Sequence, residues 1–273
     1  MDFTLKTYTE LLDTLQANGY SFLRFTDFLE NKKLPRKFVI LRHDVDALPG
    51  NSLRFAQIQH ESGIKGSYYF RAVPGSWNER IIRQIAGMGH EIGYHYENLS
   101  STNGDMESGI KDFEQNLTAL RELAPVTTIC MHGSPRSKWD SKDLWKKYNY
   151  RDYGIIGEPY FDVDFNAVFY LTDTGRRWDG WKVSVRDKVP QQADWVKQGL
   201  VFHSTQDIIR RVEGRGDVET GRPSDKEKGA GIGQFPDKVM FTFHPQRWQS
   251  QPWPWLKELI LQNVKNQVKR FLV

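Results

Sequence analysis

The fold of this chain is decided by the stretch Phe38-Val39-Ile40-Leu41-Arg42-His43-Asp44-Val45-Asp46. A short apolar run that contains β-branched residues predicts a buried strand. Asp44 and Asp46 lie two positions apart, so an extended backbone places both carboxylates on one face. Two like charges this close together require a cation or a shared proton. The stretch therefore predicts a functional site where an internal strand ends.

The same arrangement, an apolar segment that ends in a polar residue, recurs along the chain. The segments and the residues that follow them are Gly66–Phe70 with Arg71, Glu91–Tyr94 with His95, Thr127–Met131 with His132, Ala167–Thr172 with Asp173, and Val239–Phe243 with His244. Polar strand ends of this kind are typical of the catalytic face of an α/β barrel.

Helical patterns alternate with these strands. Helices are expected at 5–18, 51–63, 77–88, 106–123, 140–147, 207–212 and 253–272, and further strands at 20–25, 153–158 and 200–203. This alternation favours parallel strands in a barrel or a doubly wound sheet. We expect one domain over 1–273. It is interrupted at 213–233, where glycines and charges without apolar periodicity predict a mobile insertion.

Composition indicates an ordinary soluble protein and excludes several classes. Of the 273 residues, 26% are charged and 38% are hydrophobic, with a net charge of +4. Lysines and arginines are spread along the chain, so no nucleic-acid partner is expected. No apolar stretch approaches membrane-spanning length. Cys130 is the only cysteine, which excludes an intrachain disulfide and a cysteine-based metal site. The first six residues lack the pattern of a signal peptide, so we expect a cytoplasmic protein.

Four motifs in order resemble those of the polysaccharide deacetylase (NodB-homology, carbohydrate esterase 4) superfamily. They are Leu41–Asp46 for the first, Asp-Asp motif, Gly89–His95 for the second, Met131–Pro135 for the third and Phe243–Pro245 for the last. The resemblance implies a distorted (β/α) barrel with a divalent metal, expected to be zinc. It also implies hydrolysis of N-acetyl or O-acetyl groups on a carbohydrate substrate.

The chain departs from the family pattern at two positions. Val45 separates the two aspartates that are adjacent in the family, and Leu99 stands where the second motif has a further histidine. A catalytic zinc site needs about three protein ligands and an open position. The missing ligand must come from elsewhere, and Glu97, His132 and His244 are the candidates.

The resemblance also implies roles for the individual residues. Asp44 aligns with the catalytic base and Asp46 serves as a metal ligand, although these two roles are exchangeable. His95 is the second ligand, and we assign His132 as the third. His244 is expected to protonate the leaving group. Backbone N–H groups of 133–134 are expected to help bind the oxyanion.

Around the rim of the site, polar and aromatic residues are expected to bind a sugar or its phosphate. We assign this role to Arg71, Asp173, Arg177 and Trp178, with Glu158 as a further candidate. The segment around 176–179 is equally well explained as a solvated loop.

Three functions remain open from the sequence. The first is a metal-dependent deacetylase acting on a sugar, in the assembly of a surface polysaccharide. The second is a hydrolase of cyclic amides or imides on the same scaffold, because fold does not determine the bond cleaved. The third is a barrel that binds glycans without catalysis, which the departures at Val45 and Leu99 motivate.

Overall fold

The computed structural model describes residues 1–134, 137–179, 184, 186, 188–215 and 234–270, with side chains described as far as residue 267. Within these residues, seven strands lie in one sheet. They are β1 (Ser21–Leu23), β2 (Phe38–Val45), β3 (Ser67–Phe70), β4 (Glu91–Tyr96), β5 (Ile129–Met131), β6 (Phe169–Thr172) and β7 (Lys238–Phe243).

Ten α-helices and three 3₁₀ segments accompany these strands in the described part of the chain. The helices are α1 (Leu5–Ala17), α2 (Phe25–Glu30), α3 (Pro49–Glu61), α4 (Glu79–Gly87), α5 (Asn98–Ser101), α6 (Met106–Arg121), α7 (Pro159–Asp162), α8 (Gln192–Lys197), α9 (Thr205–Val212) and α10 (Pro252–Arg270). The 3₁₀ segments are Ser141–Lys146, Tyr150–Tyr153 and Pro245–Arg247. Among the described helices, none is long and apolar enough to cross a membrane.

All strand pairs are parallel, and the strand order is β5-β4-β3-β2-β7-β6, with β1 paired to the first half of β2. The carboxyl ends of all the strands therefore lie at the same end of the sheet. Within the described residues β5 and β6 remain edge strands, so the sheet forms a half-barrel that does not close. A parallel half-barrel with surrounding helices confirms the predicted distorted (β/α) barrel.

The centre of the sheet is buried on both faces. Every residue of β2 is buried, as expected of a central strand in a parallel sheet. His43 stacks on Tyr68 with ring centroids 4.2 Å apart. Gly93 in β4 lies against the Tyr69 ring, where a Cβ atom would come within 2.3 Å of that ring. Close packing at this point therefore requires glycine.

Three predicted elements differ from the structure. The expected helix at 140–147 is the 3₁₀ segment Ser141–Lys146. The expected strand at 153–158 is reduced to one bridge, between Thr128 and Gly157, because Gly154 adopts a left-handed conformation that turns the chain. Residues 200–203 connect two helices, since Leu200 N bonds to Trp195 O at the end of α8 and Ser204 caps α9. Of the expected insertion at 213–233, residues 216–233 lie outside the described residues.

Candidate metal centre and acid–base groups

Three side chains that could hold a metal ion converge beyond the carboxyl ends of β2, β4 and β5. They are Asp46, His95 and His132, with one ligand atom from each lying within 4.8 Å of the others. Asp46 Oδ1 is 3.5 Å from His95 Nε2 and 3.5 Å from His132 Nε2. The parallel register explains the convergence, because His95 lies opposite Cys130 and His132 follows two residues later.

Hydrogen bonds at the far side of each imidazole fix its orientation. His95 Nδ1–H donates to Cys130 O at 2.8 Å, and His132 Nδ1–H donates to Glu97 Oε2 at 2.8 Å. Each ring therefore presents the lone pair of Nε2 toward Asp46. Metal-binding histidines are held in this way in general, with the second nitrogen bonded to a carboxylate or a backbone carbonyl.

The residues present fit a divalent metal. Asp46 Oδ1 is buried and has no hydrogen-bond partner among the described residues, and a buried acceptor left unpaired is costly. Burial alone would raise the pKa of Asp46, but the neighbouring His132, His95 and His244 hold the pKa of this carboxyl well below its usual range. One carboxylate and two imidazoles are a donor set that suits zinc and similar ions.

Asp44 lies beside this group but is bound on both oxygens by an arginine. Arg42 donates from Nε to Oδ1 at 2.8 Å and from Nη2 to Oδ2 at 2.6 Å, and both side chains are buried. Asp44 Oδ2 is also 3.6 Å from His95 Nε2. The fork geometry of this pair holds the carboxylate in one orientation beside Asp46, His95 and His132.

His244 approaches the same group from β7. Its Nε2 is 3.9 Å from Asp46 Oδ2, and its Nδ1–H donates to Asp173 Oδ1 at 2.5 Å. Asp173 also accepts from Trp248 Nε1 at 2.6 Å and from Arg247 Nη1 at 3.2 Å. Burial would raise the pKa of Asp173, yet His244 and Arg247 lower it below its usual value.

These contacts correct the sequence-based role of Asp173. It is fully buried behind His244, so it cannot touch a sugar and instead positions the imidazole.

Glu97 occupies a supporting position rather than that of a metal ligand. Its Oε1 accepts from Arg71 Nε at 2.9 Å, and its Oε2 accepts from His132 and from Ser134 Oγ. Burial would raise the pKa of Glu97, but hydrogen bonding and charge from His132 and Arg71 lower it to about 2. Arg71 thus reaches the site through Glu97.

A groove of about 680 Å³ opens beside His132. The residues that line it are of polar types apart from one indole: Arg71, Glu97, Ser100, Ser101, Asn103, His132, Ser134, Ser137, Lys138 and Trp139. Lys138 Nζ lies over the Trp139 ring, 4.8 Å from its centroid. Hydroxyl groups beside an aromatic face give a surface that can hydrogen-bond and stack on a ligand.

The remaining rim residues lie apart from this groove. Trp178 is buried and donates through Nε1 to Thr205 Oγ1 at 2.9 Å, which leaves no indole face for a sugar and corrects its assignment to substrate binding. Arg177 pairs with the buried Asp179. Glu158 is fully buried and accepts from Met131 N and Tyr160 N, so it caps α7 rather than facing a ligand.

Sequence reasoning missed two residues of the site, Arg42 and Trp139, and considered Glu97 only as a metal ligand. Arg42 lies two positions before Asp44, and the same-face rule of a strand could have found it. The position of Trp139 depends on contacts between loops, for which the sequence carries no local signal.

No family model and no curated protein matches the chain. Among solved structures, it is similar to a family 4 carbohydrate esterase from Bacillus anthracis, with 11% identity, TM-score 0.39 and coverage of 94% of this chain and 85% of that chain. It is similar to an esterase of the same family from Streptococcus mutans, with 14% identity, TM-score 0.43 and coverage of 94% and 89%.

A mutant of a family 4 pseudoenzyme is also similar, with 12% identity, TM-score 0.40 and coverage of 85% of this chain and 63% of that chain. These three solved structures are all described as members of family 4 of the carbohydrate esterases.

Proposed function

We propose that this protein is a metal-dependent hydrolase that removes an acetyl group from an N- or O-acetylated sugar. The observation that carries the proposal is the Asp46, His95 and His132 group with Asp44 and His244 on either side of it. Asp44 Oδ2 lies 3.6 Å from His95 Nε2, and His244 Nε2 lies 3.9 Å from Asp46 Oδ2. A base and an acid thus flank one potential metal position.

Asp46, His95 and His132 would hold the metal, which we propose to be zinc. When bound, the metal supplies a Lewis acid that polarises the acyl carbonyl and activates water for attack. His132 replaces the ligand that the family has at the position of Leu99. The loss of one ligand and the gain of another explain how a three-ligand site survives the departure from the family pattern.

Asp44 acts as the general base in this proposal. Its carboxylate takes a proton from the attacking water, and Arg42 holds it in place through two hydrogen bonds. His244 acts as the general acid and donates a proton from Nε2 to the departing nitrogen or oxygen. Asp173 fixes the tautomer of His244 and stabilises the imidazolium, as a carboxylate does behind a catalytic histidine.

The groove beside His132 is the proposed binding site of the sugar. Trp139 offers a ring for stacking, and serine and asparagine side chains offer hydrogen bonds to hydroxyl groups. Arg186 binds the carbonyl oxygens of Gly133 and Ser134 at 2.6 and 2.8 Å. This contact orders the segment whose backbone N–H groups we propose as oxyanion donors. A role in surface-polysaccharide assembly remains part of the proposal.

The test is acetate release by protein loaded with zinc, cobalt or nickel, measured on a panel of acetylated sugars and nucleotide sugars. Asp46→Asn is the matched control, because it removes a charged ligand while it keeps the side-chain shape. Release by the native protein and not by the control is expected. If no acetylated sugar reacts, the same panel extended with cyclic amides and imides separates a hydrolase of other amides from a barrel without activity.

The non-catalytic alternative has its own measurement. A protein that binds a metal in the native state is stabilised against unfolding, by an amount that grows with the logarithm of the metal concentration above the Kd. If added divalent ions leave the unfolding temperature unchanged and purified protein carries no metal, the glycan-binding function replaces the enzyme.

A further inference from the structure

The C-terminal helix α10 turns an apolar face outward. Five large apolar side chains on it are exposed: Trp253 by 76%, Leu256 by 40%, Ile260 by 56%, Leu261 by 42% and Val264 by 59%. Spacings of three and four residues place them along one side of the helix. Scattered exposed apolar residues are ordinary, but a contiguous row of this kind indicates an interaction surface.

Polar contacts on the opposite side fix this orientation. Asn266 Nδ2 donates to Gly175 O at 2.9 Å, and Trp255 Nε1 donates to Asp2 O at 2.7 Å. Arg176 Nη1 donates to Trp255 O at 2.9 Å. Gln262 and Asn266 are both buried. The polar side of the helix therefore faces the protein and its apolar row faces solvent. Rotation of the helix to bury the apolar row would break these hydrogen bonds.

The charges beside the apolar row are positive. Lys257 and Lys265 are exposed on the outward side, whereas Glu258 is half-buried and accepts a hydrogen bond from Gln262. Two copies of the helix packed face to face around Leu261 would bring lysines together in either direction. Lys257 would meet Lys265 in an antiparallel pair, and each lysine would meet its own copy in a parallel pair. Like-charge contacts disfavour such an association.

We propose that the outward face of α10 binds an anionic lipid surface. An amphipathic helix with tryptophan and aliphatic residues on one face and lysines beside it lies in the headgroup region of a bilayer. Lysines near the surface add attraction to acidic headgroups. Gly175 and Arg176, which α10 contacts, follow the carboxyl end of β6, so the attached protein holds this end of its sheet near the lipid.

The test is sedimentation of the full chain with vesicles of phosphatidylcholine alone or mixed with phosphatidylglycerol. Binding to the mixed vesicles is expected, with weak binding to phosphatidylcholine alone. Neutralising both lysines in K257Q/K265Q should lower the partition coefficient roughly thirtyfold. The matched control K32Q/K33Q neutralises two exposed lysines elsewhere and should leave binding within about twofold, as the effect is local to the docked face.

A second variant separates the apolar contribution. I260D/V264D places charge on the row and should abolish binding, while F161D, at an apolar residue that is 50% exposed elsewhere, should bind as the native chain does. Unfolding temperatures of all variants check that they fold. Equal binding to both vesicle types, binding unaffected by I260D/V264D, or a dimer in size-exclusion chromatography that I260D/V264D dissociates would each overturn the proposal. The last result would assign the face to a second copy.

Discussion

Glu97 and His132 share a hydrogen bond of 2.8 Å between the carboxylate Oε2 and the ring Nδ1. The two residues belong to different loops, which follow β4 and β5. Through this bond, Glu97 turns His132 toward Asp46 and raises the electron density that the ring offers to a metal. Glu97, which the sequence left as a candidate ligand, therefore positions His132, one of the proposed ligands.

Glu97→Gln should weaken metal binding roughly tenfold, the usual effect of removing a supporting carboxylate. The amide oxygen can still accept from His132, but its charge is lost. Competition with a chromophoric chelator measures the affinity. Glu79→Gln removes an exposed carboxylate in α4 and serves as the control. An unchanged affinity in Glu97→Gln would show that the bond does not support a ligand.

Asp46→Asn and Asp44→Asn should separate metal binding from turnover. Asp46→Asn removes a charged donor and should lower the bound metal, whereas Asp44→Asn should retain metal and lose acetate release, because an amide cannot accept the proton of water. Bound metal and acetate release are measured for both. Metal loss in Asp44→Asn with retention in Asp46→Asn would reverse the two roles.

Asp44→Asn should also destabilise the fold, because it leaves the buried Arg42 with a neutral partner. Loss of one member of a buried ion pair typically costs about 3–5 kcal/mol. The measured activity must therefore be expressed per folded molecule, as determined by circular dichroism and urea unfolding. A fully stable Asp44→Asn would contradict the view that Arg42 depends on this carboxylate.

His244→Gln should reduce turnover on acetylated sugars by about 10²–10⁴, the range for loss of a general acid or base. Metal content should not change. An aryl acetate has a leaving group that needs no proton, so its hydrolysis should fall much less. Equal losses on both substrates would remove His244 from the role of acid.

Trp139→Ala and Trp178→Ala should behave differently although both remove an indole. Trp139 lines the groove, so its loss should raise KM for a sugar with little change in stability. Trp178 is buried against Phe241 and Phe243, and its loss should cost about 3–5 kcal/mol of folding free energy. Steady-state kinetics and urea unfolding distinguish the two outcomes. A Trp178→Ala protein of native stability with a raised KM would restore its assignment to the rim.

Glu158 should make a contribution to stability that falls as the pH rises from about 4.5 to about 7, because burial raises the pKa of Glu158 from 4.5 to about 7. In this window the folded state keeps a proton on Glu158 that the unfolded state has released, so this contribution to the free energy of unfolding decreases with pH. The full effect is on the order of 3 kcal/mol. Burial lowers the pKa of His43 to about 3 and that of His90 to about 4, so both histidines contribute in the opposite direction. The Glu158 contribution is therefore measured as the difference in slope between the native chain and Glu158→Gln in urea unfolding across this window, and equal slopes would contradict it. The pKa values of Asp46, Asp173 and Glu97 are lowered. Their contributions to the free energy of unfolding are therefore lost only at more acidic pH.

The sequence predicts the barrel and the convergence of the main site residues because both depend on one readable feature. An apolar strand that ends in Asp or His marks a carboxyl end, and parallel strands bring such ends together. Asp44, Asp46, His95, His132 and His244 all follow from this pattern. Their roles remain predictions, but their proximity in the structure agrees with the spacing argument.

The remaining errors concern contacts that no local pattern encodes. Trp178 lies in a segment dense in hydrogen-bonding residues, yet long-range packing buries it. Asp173 ends a strand as predicted but lies behind His244, because His244, Arg247 and Trp248 together enclose its carboxylate. Whether a polar residue at a strand end faces a ligand or another side chain depends on how deeply it is buried in the folded protein. The position of a residue at a strand end does not predict this burial.

The position of His132 has a consequence for the motions of the backbone. It follows β5, a strand of three residues, and its N–H donates to Tyr96 O at 2.8 Å. A short strand at the margin of a sheet opens more easily than its centre. Because a proposed ligand follows this strand directly, local opening of the sheet edge and loss of the arrangement of Asp46, His95 and His132 become one event. Amide hydrogen exchange at Met131 and His132 should therefore slow when the cluster is filled, so that the backbone reports occupancy without any substrate.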